Sequence, residues 1–237
     1  MQLLECFYTF VLMKNFDQRI AFGVKLGLTS TQARMLARLK TPARIQDFIN
    51  AIPANFEPDG DTCFSVCETL KHRRAHCIEA AFVAACALWI NGDPPLLMDL
   101  RAKGDYDHVI ALFRRRGCWG AISKSNHVWL RWRDPVYRTP RELAISYFHE
   151  YATGSRRTLT EYSLPFDLRR FAPSLWVANK EPCWTVGAAL DDSRHIFLIT
   201  PEQARNLRPS DAIERRADMV TEYRRPRKRF KRQAKKR

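Results

Sequence analysis

From Cys77 to Ile90 the chain carries one charged residue, Glu79, among thirteen that are small or apolar. Ile78, Ala81, Phe82, Ala85, Cys86 and Trp89 make one stripe at helical spacing, and most positions between them are alanine or leucine as well. A helix that is apolar on nearly every side has to be buried on nearly every side, so the rest of the fold is built around it. Asn91-Gly92 ends this helix, and Pro94-Pro95 introduces a short apolar run of strand type at 96–100. Gly104-Asp105 and Gly117 mark turns around a second run at 108–113, and 119–122 gives a third. A central helix followed by an antiparallel meander predicts an α+β fold.

The flanks are less regular. Residues 1–40 read as helices, with 7–22 broadly apolar and Ser30 or Thr31 capping 32–39. Thr41 before Pro42 starts another, which places Ile45, Phe48, Ile49 and Ile52 on one face. Residues 53–60 read as a loop and 61–70 as a helix running toward Cys77. After the meander, 141–151 returns to helix with Leu143, Tyr147, Phe148 and Tyr151 on one face, and 184–190 and 195–200 read as a hairpin about Asp191-Asp192-Ser193. The expected organisation is a helical segment at 1–40, a core at 41–151, an extension with a β-hairpin at 152–217 and a basic disordered tail at 218–237.

Of residues 224–237, ten are Lys or Arg and none is acidic, so the rest of the chain holds 30 basic against 25 acidic residues and the net charge of +15 belongs mostly to the tail. Such a run is expected to be disordered, and it reads either as a contact to nucleic acid or another polyanion that does not read sequence or as a solvated extension that adds solubility. Seven irregularly spaced cysteines fit a reduced, cytoplasmic setting better than a disulfide framework. The apolar run at 3–13 is interrupted by Glu5 and lacks the flanks of a signal peptide, so it reads as a buried helix. No stretch reaches the roughly 18 apolar residues of a membrane span. Cys63, Cys67, His72, His76 and Cys77 are close in sequence, but four residues separate Cys67 from His72 where a zinc finger needs about twelve. Neither a metal nor a cofactor is expected, because no glycine-rich phosphate loop or acidic calcium loop occurs.

Cys77 opens the buried helix. A helix start favours a thiolate over a thiol and offers backbone donors to an oxyanion, and His108 opens a neighbouring strand as a base for the proton. Asp107 projects to the opposite face of that strand and is poorly placed to orient His108. His76, with Arg73 and Arg74, adds to the electropositive setting of the thiol. Cys86 reads as packing, His127, His149 and His195 as structural or surface residues, and Glu79 as meeting solvent or a neighbouring arginine.

The cysteine-led helix, Gly92-Asp93-Pro94-Pro95-Leu96-Leu97, Asp107-His108-Val109 and Trp119-Gly120-Ala121-Ile122 together resemble the transglutaminase-like superfamily, a branch of the papain-like fold. The resemblance covers roughly residues 41–151. It is nearest to a group of bacterial transglutaminase-like proteins, with Lys124-Ser125-Asn126 and Arg133-Asp134-Pro135-Val136-Tyr137-Arg138 as further similar segments. It implies Cys77 as nucleophile and His108 as general base and acid, in acyl transfer from a peptide or protein amide through a thioester, resolved by water or by an amine. The family's aspartate falls four residues after the strand's tryptophan, a place held here by Ser123. Serine accepts a hydrogen bond from an imidazole but brings no charge, and loss of a triad carboxylate lowers turnover by about 10⁴-fold in a serine protease. Asn126 or Asp134 are the substitutes, with Asn126 preferred. The competing expectation is a catalytically inactive binding module on the same fold, with the basic tail as its working part.

Overall fold

The computed structural model describes residues 15–58 and 60–224. Three capped helices open it: α1 (Phe16–Lys25), α2 (Ser30–Ala37) and α3 (Pro42–Asn50), whose preceding residues Asn15, Thr29 and Thr41 accept the backbone N–H three positions on. The cap of α2 is therefore Thr29, one residue before the expected pair. Ile45, Ile49 and Ile52 are buried as the spacing predicts. Helix α4 (Val66–His72) is capped by Ser65 and ends at Arg73 in the left-handed conformation, φ 52°.

Helix α5 (Cys77–Ile90) has the bounds read from the sequence, and every residue from Glu79 to Leu88, with Ile90, is buried. Its apolar side chains join those of α1 to α4 and one sheet face in a single core. Each large apolar side chain buried in this way, such as Phe82 or Leu88, contributes about 1.5–3 kcal/mol.

Strands β1 (Leu96–Ala102), β2 (His108–Arg115), β3 (Cys118–Ile122) and β4 (Arg133–Tyr137) form the antiparallel meander. Leu97, Val109, Ala111, Phe113 and Ile122 face α5, while Met98, Leu100, Ile110, Leu112 and Ala121 face a second core with Leu143, Tyr147, Phe148 and Tyr151. Two-residue alternation divides the strands between these cores. Helix α6 (Pro140–Ile145) and a following 3₁₀ turn cover the second face.

The rest of the chain departs from the expected organisation. Strands β5 (Ala152–Thr153) and β6 (Arg156–Arg157) make a small hairpin, but β7 (Leu159–Ser163), β8 (Phe166–Asp167) and β9 (His195–Phe197) extend the main sheet beyond β1, in the order β4-β3-β2-β1-β7-β9, with β8 also on β1. Residues 152–217 thus add strands to the main sheet. The segment read as the first arm of a hairpin is a helix, α7 (Trp184–Asp191), and it buries Val186 and Leu190, four residues apart on one face. Short helices α8 (Pro201–Arg205) and α9 (Ala212–Asp218) follow. Residues 221–223, expected to belong to the tail, are fixed: Thr221 bridges His127, and Glu222 donates its N–H to the Asn126 carbonyl. The apolar run at 3–13 and nearly all of the basic run lie outside the described residues. Among the described residues, no helix is long and apolar enough to cross a membrane.

Gly120 lets β4 close on β3. A Cβ there would run into the Phe113 ring and sit 2.9 Å from the Arg133 carbonyl oxygen, where the β3/β4 register shifts. Gly120→Ala is expected to cost about 1–3 kcal/mol, as overpacking does, measured as a lower midpoint of urea unfolding.

Candidate active site

The segment before α5 is pinned by backbone bonds. Ala75 donates to the Pro53 carbonyl and accepts from Asn55, both at 3.0 Å. Cys77 is then the first helical residue, where backbone N–H groups have no acceptor within the helix and favour negative charge. Its side chain is half-buried. Burial works to raise the thiol, but the hydrogen bond from the His108 imidazole, then that from His76, and the charges on both rings outweigh it and hold Cys77 well below the ordinary cysteine range. The neighbouring thiols behave in the opposite sense. Burial pushes Cys63 and Cys86 upward, and raises Cys183 to about 12.

His108 is buried, and its proton position follows from its partners. Nε2 lies 2.6 Å from Ser123 Oγ and 3.0 Å from the Leu130 carbonyl oxygen. The carbonyl can only accept, and the Ser123 hydroxyl donates to that same oxygen at 2.8 Å. Nε2 therefore carries the hydrogen and gives it to both oxygens, which leaves Nδ1 as the ring nitrogen open to another partner.

Ser123 is held in turn by Gln46 of α3. The Gln46 amide accepts from the Ser123 N–H at 2.9 Å and donates to its carbonyl at 2.9 Å, so a helix side chain pairs with the end of β3 as a strand would. The sequence reading did not single out Gln46.

Of the five expected site residues, Cys77, His108 and Ser123 come together. Asn126 does not join them. Its amide oxygen accepts from the Tyr223 N–H at 2.8 Å and its Nδ2 donates to the Tyr223 carbonyl at 3.0 Å, so the group preferred for orienting the ring holds the C-terminal segment instead. Asp134 is exposed on the edge strand β4. Asp107 accepts from the Ala102 N–H at 2.7 Å, away from the ring, as the strand alternation predicts.

Glu79 is the residue whose place the sequence reading missed. It is fully buried and accepts from the backbone of His76 at 2.9 Å and Phe64 at 3.0 Å, from Thr62 Oγ1 at 2.7 Å and from Asn55 Nδ2 at 3.1 Å. It thereby ties the 55–64 loop to the start of α5. His76 lies between this carboxylate and the thiol, with Nδ1 4.0 Å from Cys77 Sγ.

Among the described residues, the Cys63 to Cys77 ligand types do not assemble into a metal site. The one group with that geometry is Asp99, Asp107 and Asp191. Each of these already has a protein partner: Asp99 the imidazole of His195 at 3.1 Å, Asp107 the Ala102 N–H, and Asp191 the guanidinium of Arg101 at 2.8 Å.

No family model matches this chain, and no curated protein matches it either. The fold is α+β with an antiparallel sheet. The chemistry of the site accordingly rests on its own geometry.

Proposed function

We propose that this chain is a cysteine acyl-transfer enzyme with a papain-like, transglutaminase-like core, acting on a peptide or protein amide through a thioester at Cys77. One observation supports this above all: a half-buried thiol at the start of a buried helix is held well below the ordinary cysteine range by His108 and His76, and the Nε2 of His108 is fixed as a donor by Ser123 and Leu130.

In the proposed cycle, the Cys77 thiolate attacks the amide carbonyl carbon and the C=O pair moves to oxygen, with N–H groups at the α5 start as donors to the oxyanion. As the C–N bond breaks, protonated His108 gives its Nδ1 proton to the leaving nitrogen, and a thioester remains. Water or a primary amine then attacks the thioester carbon while His108 takes its proton. The C–S bond breaks, and a carboxylic acid or a new amide leaves with the thiolate restored.

The test is iodoacetamide labelling at pH 6 with the modified residue read by mass spectrometry. Cys77 is expected to react at least about ten times faster than the equally half-buried Cys67 and Cys118, and to slow in His108→Ala. Equal rates at the three thiols, rising only above about pH 8.5, would overturn the proposal. They would favour the second reading, a non-catalytic binding module, which the neutral Ser123 beside His108 supports.

A further inference from the structure

We infer that His76 is a fixed cationic partner of the Cys77 thiolate, locked in place by the buried Glu79, so that the thiolate keeps a cation beside it although Ser123 brings no carboxylate to hold a charge on His108. This deepens the acyl-transfer reading and stands on it.

The two rings that meet the sulfur have different surroundings. His108 Nε2 faces only neutral oxygens, a hydroxyl and a carbonyl. His76 Nε2 faces the Thr62 carbonyl at 2.8 Å, Glu79 Oε1 at 3.4 Å and Glu57 Oε1 at 3.5 Å. The carbonyl cannot donate, so Nε2 keeps its hydrogen and Nδ1 is the atom turned to the thiol. In this arrangement an imidazolium at His76 sits between the thiolate on one side and the Glu79 and Glu57 carboxylates on the other.

A cation so placed does not hand its proton on. Doing so would leave a buried carboxylate facing a neutral ring, and removing one partner of a buried pair is strongly unfavourable. The proton that travels to and from substrate is the one on His108. The two imidazoles thus divide the work that a single imidazole with a carboxylate performs elsewhere, and the carboxylate stands on the opposite side of the sulfur. Where two titratable groups of one kind have contrasting surroundings, their roles separate in this way.

The other ionisable groups fit this assignment. Burial opposes charge at His76, but the bond and charge from Cys77, then the Glu79 charge and the bond to Thr62, raise it to about 9. Cys63 and Cys183, which feel Glu79, have raised thiols and add no competing charge near neutrality. Asp99 feels the Cys77 charge and is raised to about 6, mainly by burial, with Asp107 adding to the rise and His195 opposing it. Tyr151, which also feels Cys77, is raised by burial and stays neutral.

Two measurements on the full chain test the inference. Side-chain ¹⁵N shifts of His76 are expected to show both ring nitrogens protonated up to about pH 9, with the midpoint falling by a unit or more in Cys77→Ser. Iodoacetamide labelling of Cys77 at pH 6 is expected to fall by about tenfold in His76→Gln, one pH unit being tenfold in thiolate, and to fall in the same direction in Glu79→Gln. Fast wild-type labelling that is unchanged in His76→Gln, or a His76 ring that loses its proton near its ordinary 6.5, would overturn the inference and leave the acyl-transfer reading standing. A wild-type Cys77 that titrates as an ordinary thiol would overturn both. The shift experiment reads the unmutated protein, so poor folding of Glu79→Gln does not decide the outcome.

Discussion

His108→Ala is expected to lower turnover of a peptide amide by about 10²–10⁴-fold, the range for a positioned general acid and base, while Ser123→Ala costs no more than about tenfold. The contrast follows from what each group does. In the proposed cycle the ring carries the proton that the leaving nitrogen receives, and of the two imidazoles that lower Cys77, His108 is the one whose Nε2 faces only neutral acceptors. Ser123 only holds the ring, and the Leu130 carbonyl at 3.0 Å remains to accept from Nε2 when the hydroxyl is gone. The lost bond is then worth about 0.5–1.5 kcal/mol. Comparison of kcat/KM for the two variants on one peptide amide checks this. If Ser123→Ala costs as much as His108→Ala, the serine is more than a holder.

Glu79→Ala is expected to destabilise the fold by about 3–5 kcal/mol, the cost of removing one member of a buried ionic network. The alanine would leave the backbone N–H groups of Phe64 and His76 without their acceptor at the mouth of the helix, and the buried Asn55 amide with Thr62 Oγ1 alone. Urea unfolding of the two proteins measures the difference, and Glu79→Gln, which keeps one acceptor oxygen, should lose less. A loss below about 1 kcal/mol would mean that apolar contacts, not this carboxylate, hold the 55–64 loop.

The central part of the fold was legible because its signals are local and strong. The bounds of α5 follow from a run with no polar face, and the three meander strands from short apolar runs between turn residues. Trp184 to Asp191 misled because an aromatic, a threonine and a valine followed by Asp191-Asp192-Ser193 look like a strand and its turn. The signal that distinguishes the helix is the i, i+4 pair Val186 and Leu190, which is weak in so short a run. At the site, Cys77 and His108 announce themselves by residue type and placement.

The usual rule for carboxylates gives Glu79 solvent or a neighbouring arginine, yet a helix that is apolar on all sides gives it no solvent to reach. That contradiction was present in the sequence. What it lacked was the identity of the partners, which come from a loop 15 to 24 residues upstream. Asn126 failed as an expectation for a similar reason: nearness to Ser123 along the chain says nothing about a segment 97 residues later that claims its amide.

The clamp between Asn126 and Tyr223 also sets where the basic run can be cut cleanly. Glu222 pairs with Arg131 and lies 3.8 Å from Lys124 Nζ, a buried lysine that burial holds below the usual range and Glu222 pulls back up. A truncation before residue 221 would strip the acceptor and donor from Asn126 and leave Lys124 and Arg131 side by side without their anion, next to the 123–130 loop whose carbonyl steadies His108. Such a protein would report on damage to that loop as much as on lost charge. Only a stop placed after Tyr223 separates the two.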